Sequence, residues 1–206
     1  MRLTGLSVSD YVQSVAASTA TPGGGSVCAL VCGLSAALCL MAARLTLGRE
    51  KYSDAWSAME DFSRSIEGLL SRSLELAEQD AEAYDTVLAA FHRDRGDTSR
   101  AEAIQAAMKQ AALIPLETLR VLAKITDLVG EVIERGNPHC LCDIGVAVQL
   151  MRAAARGALG NVRENLSKID DRNFTSRVQS EMTSLENNIE QATDRFESFI
   201  ELLLSS

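Results

Sequence analysis

The chain is poor in several residue types on which common catalytic and binding motifs depend. Its 206 residues include two histidines and three prolines, and 4% of them are aromatic. No P-loop sequence, no G-x-G-x-x-G after a strand, no G-x-S-x-G and no H-E-x-x-H occurs in it. The standard nucleotide, hydrolase and zinc motifs are therefore absent.

Positive charge is also scarce, with a formal net charge of -8. Phosphate recognition needs a basic stripe, so nucleic-acid binding is not expected. The five cysteines are odd in number and partly lie in an apolar segment, which favours reduced thiols over a disulfide framework. The segment Met1 to Val15 is amphipathic and carries Asp10, unlike a signal peptide. These features predict a cytoplasmic protein.

The chain also lacks internal repeats, low-complexity linkers and segments that alternate with period two. Apolar residues recur at three- and four-residue steps, and Ser7 with Asp10 and Ser99 with Glu102 resemble capping boxes. We predict one all-α domain over residues 1–206, a bundle of about six helices, several of them long, with a helical dimer interface. The predicted helices run from about Ser7 to Ala17, Ser26 to Leu47, Ser53 to His92, Ser99 to Arg135 with a bend at Pro115, Asp143 to Ser167, and Asn173 to Leu204.

The second predicted helix has no charge between Val27 and Ala43. This run is at the short limit for a membrane span. Ala29, Gly33 and Ala37 follow at four-residue steps and let neighbouring backbones approach closely. A central helix surrounded by other helices explains the run better than a membrane helix does.

Three successive glycines, in the run Thr21-Pro22-Gly23-Gly24-Gly25-Ser26, open this uncharged helix. Without a Cβ, the backbone can adopt left-handed conformations and lie flat against another group, and Ser26 can cap the helix. The resulting row of N–H groups at a positive helix end suits an anion or a planar polar ring. The alternative is a tight turn that lets helices pack closely.

A few polar residues lie within otherwise apolar helical surfaces. Asp80 and Tyr84 are one turn apart, and a carboxylate shielded from water has the raised pKa that proton transfer near neutral pH requires. The alternative for Asp80 is a solvated acid beside Glu78 and Glu82. Asn161 and Asn165 are also one turn apart, and either bind a ligand or form hydrogen bonds between helices.

Other chemically interesting residues have structural explanations. His139, Cys140, Cys142 and Asp143 are metal-ligand types, but Cys-x-Cys lacks the usual zinc spacing and no second cysteine pair follows. Asp143 at a helix start can simply stabilise the helix dipole. Cys28, Cys32 and Cys39 share one helix face and are expected to be buried, inert thiols.

Taken together, these segments resemble a known family, the cyclodeaminase fold of tetrahydrofolate one-carbon metabolism. It contains formiminotetrahydrofolate cyclodeaminases and a group of methenyltetrahydrofolate cyclohydrolases. The resemblance covers almost the whole chain, although Cys142 stands where relatives often carry a capping serine. It is carried by the order and spacing of Thr21–Ser26, Met41–Gly48, Asp80–Tyr84, Ile114–Leu116, Gly136–Pro138 leading to Asp143, and Asn161–Leu166.

The resemblance implies an all-helical homodimer that binds a folate, possibly polyglutamylated, and closes 5-formiminotetrahydrofolate to 5,10-methenyltetrahydrofolate with release of ammonia. Asp80 matches the acidic position regarded as catalytic in the family, and Tyr84 is expected either to orient it or to line the pocket. No metal or redox cofactor is implied, because the oxidation state does not change. The implied substrate-binding residues are Thr21, Pro22, Gly23, Gly24, Gly25 and Ser26 for the pterin, Asp143 for its aminopyrimidine edge, Arg44, Arg49 and Lys51 for the glutamate tail, and Asn161 and Asn165 in the pocket.

Two other functions fit the sequence. A methenyltetrahydrofolate cyclohydrolase would use the same pocket to add water to the same carbon. A noncatalytic helical dimer that serves as a scaffold would have no need of Asp80 and would not bind folates.

Overall fold

A computed structural model describes residues 2–205, so Met1 of the amphipathic N-terminal segment and Ser206 lie outside the described residues. Within this range the chain forms six α-helices and three short 3-10 turns, with no strand. The predicted all-α bundle is confirmed, and α4 is continuous through Pro115. The helices are α1 (Val8–Ala16), α2 (Gly24–Thr46), α3 (Trp56–Phe91), α4 (Arg100–Arg135), α5 (Leu141–Leu166) and α6 (Arg172–Leu204).

Helix α2 lies at the centre of the bundle and packs against α3, α5 and α4. It runs antiparallel to α3, because contacts pair early α2 residues with late α3 residues, as in Cys32 with Ser73 and Ser26 with Asp80. Helix α5 is antiparallel to α2 as well, since Gly24 meets Asn161 and Cys28 meets Gly157. The start of α2 therefore lies beside the ends of α3 and α5.

By length and composition alone, α2 could cross a membrane, with a mean hydropathy of 2.2 in its most apolar window. Of that window 56% is buried inside the protein, and Ala29, Cys32, Ala36, Cys39 and Ala43 are almost wholly inaccessible. The small residues allow close packing against α3 and α5. These contacts are those of the core helix of a bundle.

Of the two predicted capping boxes, one forms a helix cap and the other does not. The Ser7 hydroxyl accepts a hydrogen bond from the Asp10 N–H at 3.1 Å, so the first cap is confirmed. The Ser99 cap is wrong: Ser99 precedes α4, but its hydroxyl donates to Asp97 Oδ1 at 2.8 Å and makes no bond to the helix. A carboxylate two residues earlier binds both the hydroxyl and the N–H of Ser99 and holds them in the turn.

One face of α2 is only partly covered by the rest of the chain. Large apolar side chains recur along it at steps of four and three residues, and Leu34 and Leu45 are 49% and 41% exposed. The neighbouring α1 buries none of its residues, and its Val8 and Val12 are more exposed still. We call the α2 face the apolar stripe; it consists of Val27, Val31, Leu34, Leu38, Met41 and Leu45.

Candidate active site

A cleft of about 280 Å³ opens where the glycine run at the start of α2 meets α3, α4 and the end of α5. A larger groove of about 570 Å³ between α3 and α4 is lined mainly by alanines and holds no carboxylate among the residues described. The smaller cleft combines acidic, amide and apolar groups. It is lined by Ala20, Thr21, Gly23, Gly24 and Gly25, by Asp80, Ala83, Tyr84 and Val87 of α3, by Met108 and Ala111 of α4, and by Asn161, Glu164, Asn165 and Lys168.

Asp80 supplies the most deeply placed acid of the cleft. Its Oδ2 accepts a hydrogen bond from the Ser26 hydroxyl at 3.0 Å. Burial raises the pKa of Asp80 above its ordinary value, and the hydrogen bonds from the hydroxyl and backbone N–H of Ser26 oppose this rise without cancelling it. Asp80 is thus a partly shielded carboxyl, as predicted, and not a fully solvated acid.

The glycine run is explained by close approach and not by left-handed backbone. Gly23 has φ -114°, and Gly48, with φ 77°, is the one glycine with positive φ in the described range. At Gly25 a Cβ would overlap the carboxyl group of Asp80, so any side chain there would displace the acid. The expectation of left-handed conformations in the run is therefore wrong.

The role predicted for Ser26 also needs correction. Helix α2 begins at Gly24, two residues earlier than expected, so Gly23 occupies the cap position and Ser26 lies in the first turn. There Ser26 is buried and bonds the Asp80 carboxylate across the α2–α3 contact. Since α2 begins without a side-chain cap, the first N–H groups of the helix border the cleft.

The two asparagines of α5 line the cleft from the opposite side. Asn161 Nδ2 donates to the Gly157 carbonyl oxygen at 2.9 Å, and Asn165 Nδ2 donates to the Ala111 carbonyl oxygen at 3.1 Å. Asn165 thus forms the predicted interhelical bond, while the amide oxygen of each residue keeps its capacity to accept. Tyr84 is 37% exposed at the rim, one turn of α3 beyond Asp80.

Six predicted substrate-binding residues do not line this cleft. Pro22 is buried after a cis Thr21–Pro22 peptide bond, and Ser26 is buried with its hydroxyl group bonded to Asp80. The other four lie near the opposite end of α2, about 30 Å away along a 23-residue helix. They are Arg44, paired with Glu67 at 2.6 Å, Arg49 beside Cys140, Lys51 over the Tyr52 ring, and Asp143 in the first turn of α5.

A single chain therefore does not bring these four residues into one pocket with the glycine run, and their roles in substrate binding stay predictions. Helix α2 is long and straight enough to separate its two ends, and the resemblance aligned residues along the sequence without regard to this distance. Near Asp143, the cysteines and His139 do not assemble a metal site: no group of three or more His, Cys, Asp or Glu side chains suited to a metal occurs in residues 2–205.

The sequence analysis missed three polar residues around the cleft. Glu164 and Lys168 line it directly, and Lys168 lies in the turn after α5, where no helical spacing indicates it. The Tyr11 hydroxyl is buried with no hydrogen-bond partner among the described residues, and burial together with the charge of Asp80 raises the pKa of Tyr11.

Cys28 was expected to be buried but is only half-buried. Its burial raises the pKa of Cys28 to about 11, with a further contribution from Asp80.

The sequence of the chain matches the family model described as formiminotransferase-cyclodeaminase over residues 7–184. The chain belongs to this family. It is 34% identical to a methenyltetrahydrofolate cyclohydrolase of Methylorubrum extorquens over 86% of the chain and 88% of that protein. It is 31% identical to the formimidoyltransferase-cyclodeaminase of Mus musculus over 87% of the chain, but spans only 34% of that longer protein.

The fold agrees with a solved member of the same family. The crystal structure of formiminotetrahydrofolate cyclodeaminase from Thermotoga maritima superposes with a TM-score of 0.90, at 28% identity, over 98% of this chain and 99% of that one. Relatives with two different reaction names are therefore similar to this chain, the cyclohydrolase in sequence and the Thermotoga cyclodeaminase also in fold. The roles of individual cleft residues stay predictions.

Replacing the Ser26 hydroxyl is expected to raise the pKa of Asp80 further. The wild-type pKa of Asp80 lies above the ordinary value of an aspartic acid, and Ser26→Ala removes one of the two hydrogen bonds that lower it. An NMR pH titration of the Asp80 carboxyl carbon measures both values. Ser198→Ala, far from the cleft on α6, is the matched control and leaves the titration unchanged; an unchanged or lower pKa in Ser26→Ala would contradict the assigned hydrogen bond.

Proposed function

We propose that this protein is a folate enzyme that converts 5-formiminotetrahydrofolate to 5,10-methenyltetrahydrofolate and ammonia, with Asp80 as the general acid/base. The observation that carries the proposal is the shielded carboxyl of Asp80, bonded to Ser26 and pressed against Gly25 in an open cleft. Family membership and the Thermotoga structure support it. The substrate is assigned from these relatives, and the proton chemistry from the residues of the cleft.

The reaction moves one proton between two nitrogens. N10 of the substrate attacks the formimino carbon and forms the five-membered ring, and N10 then loses its proton. The amino nitrogen on the same carbon must gain a proton before the C–N bond breaks and ammonia leaves. A single acid/base with a raised pKa can accept the first proton and donate it to the second nitrogen. Asp80 is the carboxyl in the cleft whose pKa is raised.

The walls around Asp80 suit a flat heterocycle. Backbone N–H groups at the start of α2 are presented by glycines, so no side chain keeps a planar ring away from them. The amide groups of Asn161 and Asn165 offer hydrogen bonds on the facing wall. Tyr84 can pack against the ligand at the rim. Neither ring closure nor deamination changes an oxidation state, so the proposed chemistry uses no redox cofactor.

A second candidate reaction is the hydrolysis of 5,10-methenyltetrahydrofolate to 10-formyltetrahydrofolate. The observation that favours it is the Methylorubrum cyclohydrolase, which this chain matches over most of both sequences. Here Asp80 would take a proton from water as the oxygen adds to the bridging carbon, and would then protonate N5 as its bond to that carbon breaks. The remaining hydroxyl proton would leave to solvent as the formyl C=O bond forms. The same pocket and the same acid serve both reactions.

A spectroscopic assay with two substrates decides between these reactions. Formation of methenyltetrahydrofolate with ammonia release from the 5-formimino compound establishes the cyclodeaminase. Faster decay of methenyltetrahydrofolate, without turnover of the formimino compound, establishes the cyclohydrolase. No change above the uncatalysed rate in either reaction would overturn the proposal in favour of a noncatalytic helical scaffold.

Asp80→Asn is expected to abolish turnover while the fold stays intact. Loss of a general acid/base lowers kcat by about 100-fold or more. Because the folded-state pKa of Asp80 is raised, its ionised form lowers stability above that pKa, and this cost vanishes as the pH falls through it. At pH 7 the variant should therefore melt at the same or a higher temperature than the wild type. A variant with full activity, or one that is unfolded at 25 °C, would contradict this assignment.

Two neighbouring glycines give a matched test of the close approach to Asp80. A Cβ at Gly25 would overlap the carboxyl, whereas a Cβ at Gly24 would lie 3.8 Å from Asn161 Nδ2, an ordinary contact. Gly25→Ala should therefore lose far more activity than Gly24→Ala, by about tenfold or more, because small misplacements of a catalytic group are costly. Steady-state kcat measures the difference; equal losses in the two variants would show that contact with Asp80 is not what requires Gly25.

We further propose that the protein is a homodimer that pairs through the apolar stripe of α2. The stripe carries six large apolar side chains, of which Leu34 and Leu45 are exposed and the other four are half-buried. Exposed apolar side chains in a row are typical of subunit interfaces. Their three- and four-residue spacing suits packing against a second helix of the same sequence around a twofold axis.

Leu34→Glu is expected to yield a monomer. Leu34 is near the middle of the stripe and is 49% exposed, so the change removes apolar contact and buries charge at the proposed interface without disturbing the core of the chain. Light scattering coupled to size exclusion should give twice the chain mass for the wild type and the chain mass for the variant. Leu204→Glu at the exposed end of α6 is the control and should remain dimeric. A dimeric Leu34→Glu would contradict pairing through the stripe.

A further inference from the structure

Lys168 is the one basic side chain that lines the cleft in the described part of the chain. We infer that its ammonium group binds a carboxylate of the glutamate tail of the folate substrate, which rests on the proposed function. This assignment replaces Arg44, Arg49 and Lys51 as the tail-binding residues of the same subunit. It also orients the substrate, with the reacting ring at Asp80 and the glutamate tail at Lys168.

Three polar side chains line the cleft from the end of α5 and from the turn that follows it. Asn161 and Asn165 are one turn apart on α5, and Lys168 lies two residues beyond the end of the helix. The Lys168 N–H donates to the Asn165 carbonyl oxygen at 3.2 Å, which holds Lys168 close to Asn165. Asn161 lies beside Gly24, whose neighbour Gly25 is in contact with Asp80. This side of the cleft therefore leads from the neighbourhood of Asp80 to the cation.

The wall between these two ends is suited to an aromatic ring. Val87 of α3 and Met108 of α4 both line the cleft and belong to one small apolar cluster. Tyr84 lies at the rim of the cleft, three residues before Val87 on α3. An aromatic ring placed here would bury apolar surface, while the pterin and the charged glutamate tail on either side of it reach polar groups of the cleft. The cleft therefore changes along its length from acid, to apolar wall, to cation.

The backbone of Lys168 is held in place, but its side chain is not. The side-chain amide of Gln105 donates to the Lys168 carbonyl oxygen at 3.2 Å and accepts from the Asp170 N–H at 2.9 Å, which fixes this turn against α4. The ammonium group pairs with Glu164 alone, at 3.0 Å, and the lysine side chain is 48% exposed. An exposed pair four residues apart stabilises a helix by less than about 1 kcal/mol, so a substrate carboxylate can replace it.

Other cations are farther from the cleft or already engaged. Lys109 donates to Asp171 at 2.7 Å, and Asp171 caps α6, so this lysine is part of the framework. Arg163 bonds both carboxylate oxygens of Glu186 on α6. Of the nearby basic groups in the described residues, Lys168 combines a place on the cleft wall with a weakly held charge.

The test compares substrates with and without the glutamate tail, in whichever reaction the assay has established. With the folate substrate, Lys168→Gln is expected to raise KM by about three- to fivefold, the size of one exposed charge pair, with kcat changed by less than about twofold. With the corresponding pteroate substrate, which has no glutamate, the same variant should have the KM of the wild type. Added salt should raise KM more for the wild type than for the variant. Lys168→Arg keeps the charge and should retain most of the wild-type KM.

Lys124→Gln removes one exposed lysine on α4 away from the cleft and controls for net charge. Lys51→Gln tests the opposite end of α2: a rise in KM there, with none in Lys168→Gln, would overturn the inference and place the tail at that end, contributed by a second subunit. An active wild type whose KM is unaffected by Lys168→Gln, or a variant equally impaired on both substrates, would overturn it as well. If the wild type turns over neither folate, the proposed function itself fails, which is a separate and recognisable result.

Discussion

The close approach of α2 to α3 is the constraint on which the rest of the structure depends. Along this contact α2 offers glycine, alanine, serine and cysteine, so the two backbones come near enough for side chains of α3 to touch the α2 main chain. Gly33 meets Ser73, a Cβ there lying 3.4 Å from the serine Cβ, and Gly25 meets Asp80. Larger residues would separate the helices and open the core. The same packing that stabilises the bundle therefore brings a carboxyl group to the first turn of α2.

This arrangement links stability and chemistry through one side chain. Asp80 is held by Ser26 and partly removed from water, which raises its pKa and makes the ionised form less favourable in the fold than in the unfolded chain. A residue chosen for stability alone would be neutral here. Proton transfer near neutral pH, in contrast, requires an acid that is held in this unfavourable state. The fold tolerates this loss of stability because the rest of its core is large and apolar.

Sequence patterns were sufficient for the helices and for half of the cleft. Periodicity places α3 to within a few residues, because amphipathic spacing is a local property that the fold preserves. The cap at Ser26 was wrong because a serine near a helix start can bond either its own helix or a neighbouring one, and only the packing of α3 shows which. The left-handed glycines were wrong for a similar reason: glycine permits both positive φ and close approach, and the position of Asp80 decides between them.

Distances along the long helices explain why the predicted site residues do not all meet. Arg44 near the end of α2 and Asp143 near the start of α5 lie at the same end of the bundle, because the two helices are antiparallel, and this end is about 30 Å from the glycine run. A list of motifs contains no information on such distances. Conversely, Lys168 belongs to no motif, yet the turn after α5 brings it to the same cleft as Asp80.

The composition of the cleft also explains why one fold can host two reactions at the same carbon. In both, a nucleophile adds to a carbon held between two nitrogens, a proton leaves the nucleophile, and a proton reaches a departing nitrogen. The requirement on the protein is one acid/base and a fixed ring, which Asp80 and the start of α2 can meet in either case. The two reactions differ in the nitrogen that departs, which is the amino nitrogen in ring closure with ammonia release and N5 in hydrolysis. Under the proposed function, the choice between them therefore depends on which of these two nitrogens the bound folate presents to Asp80 for protonation.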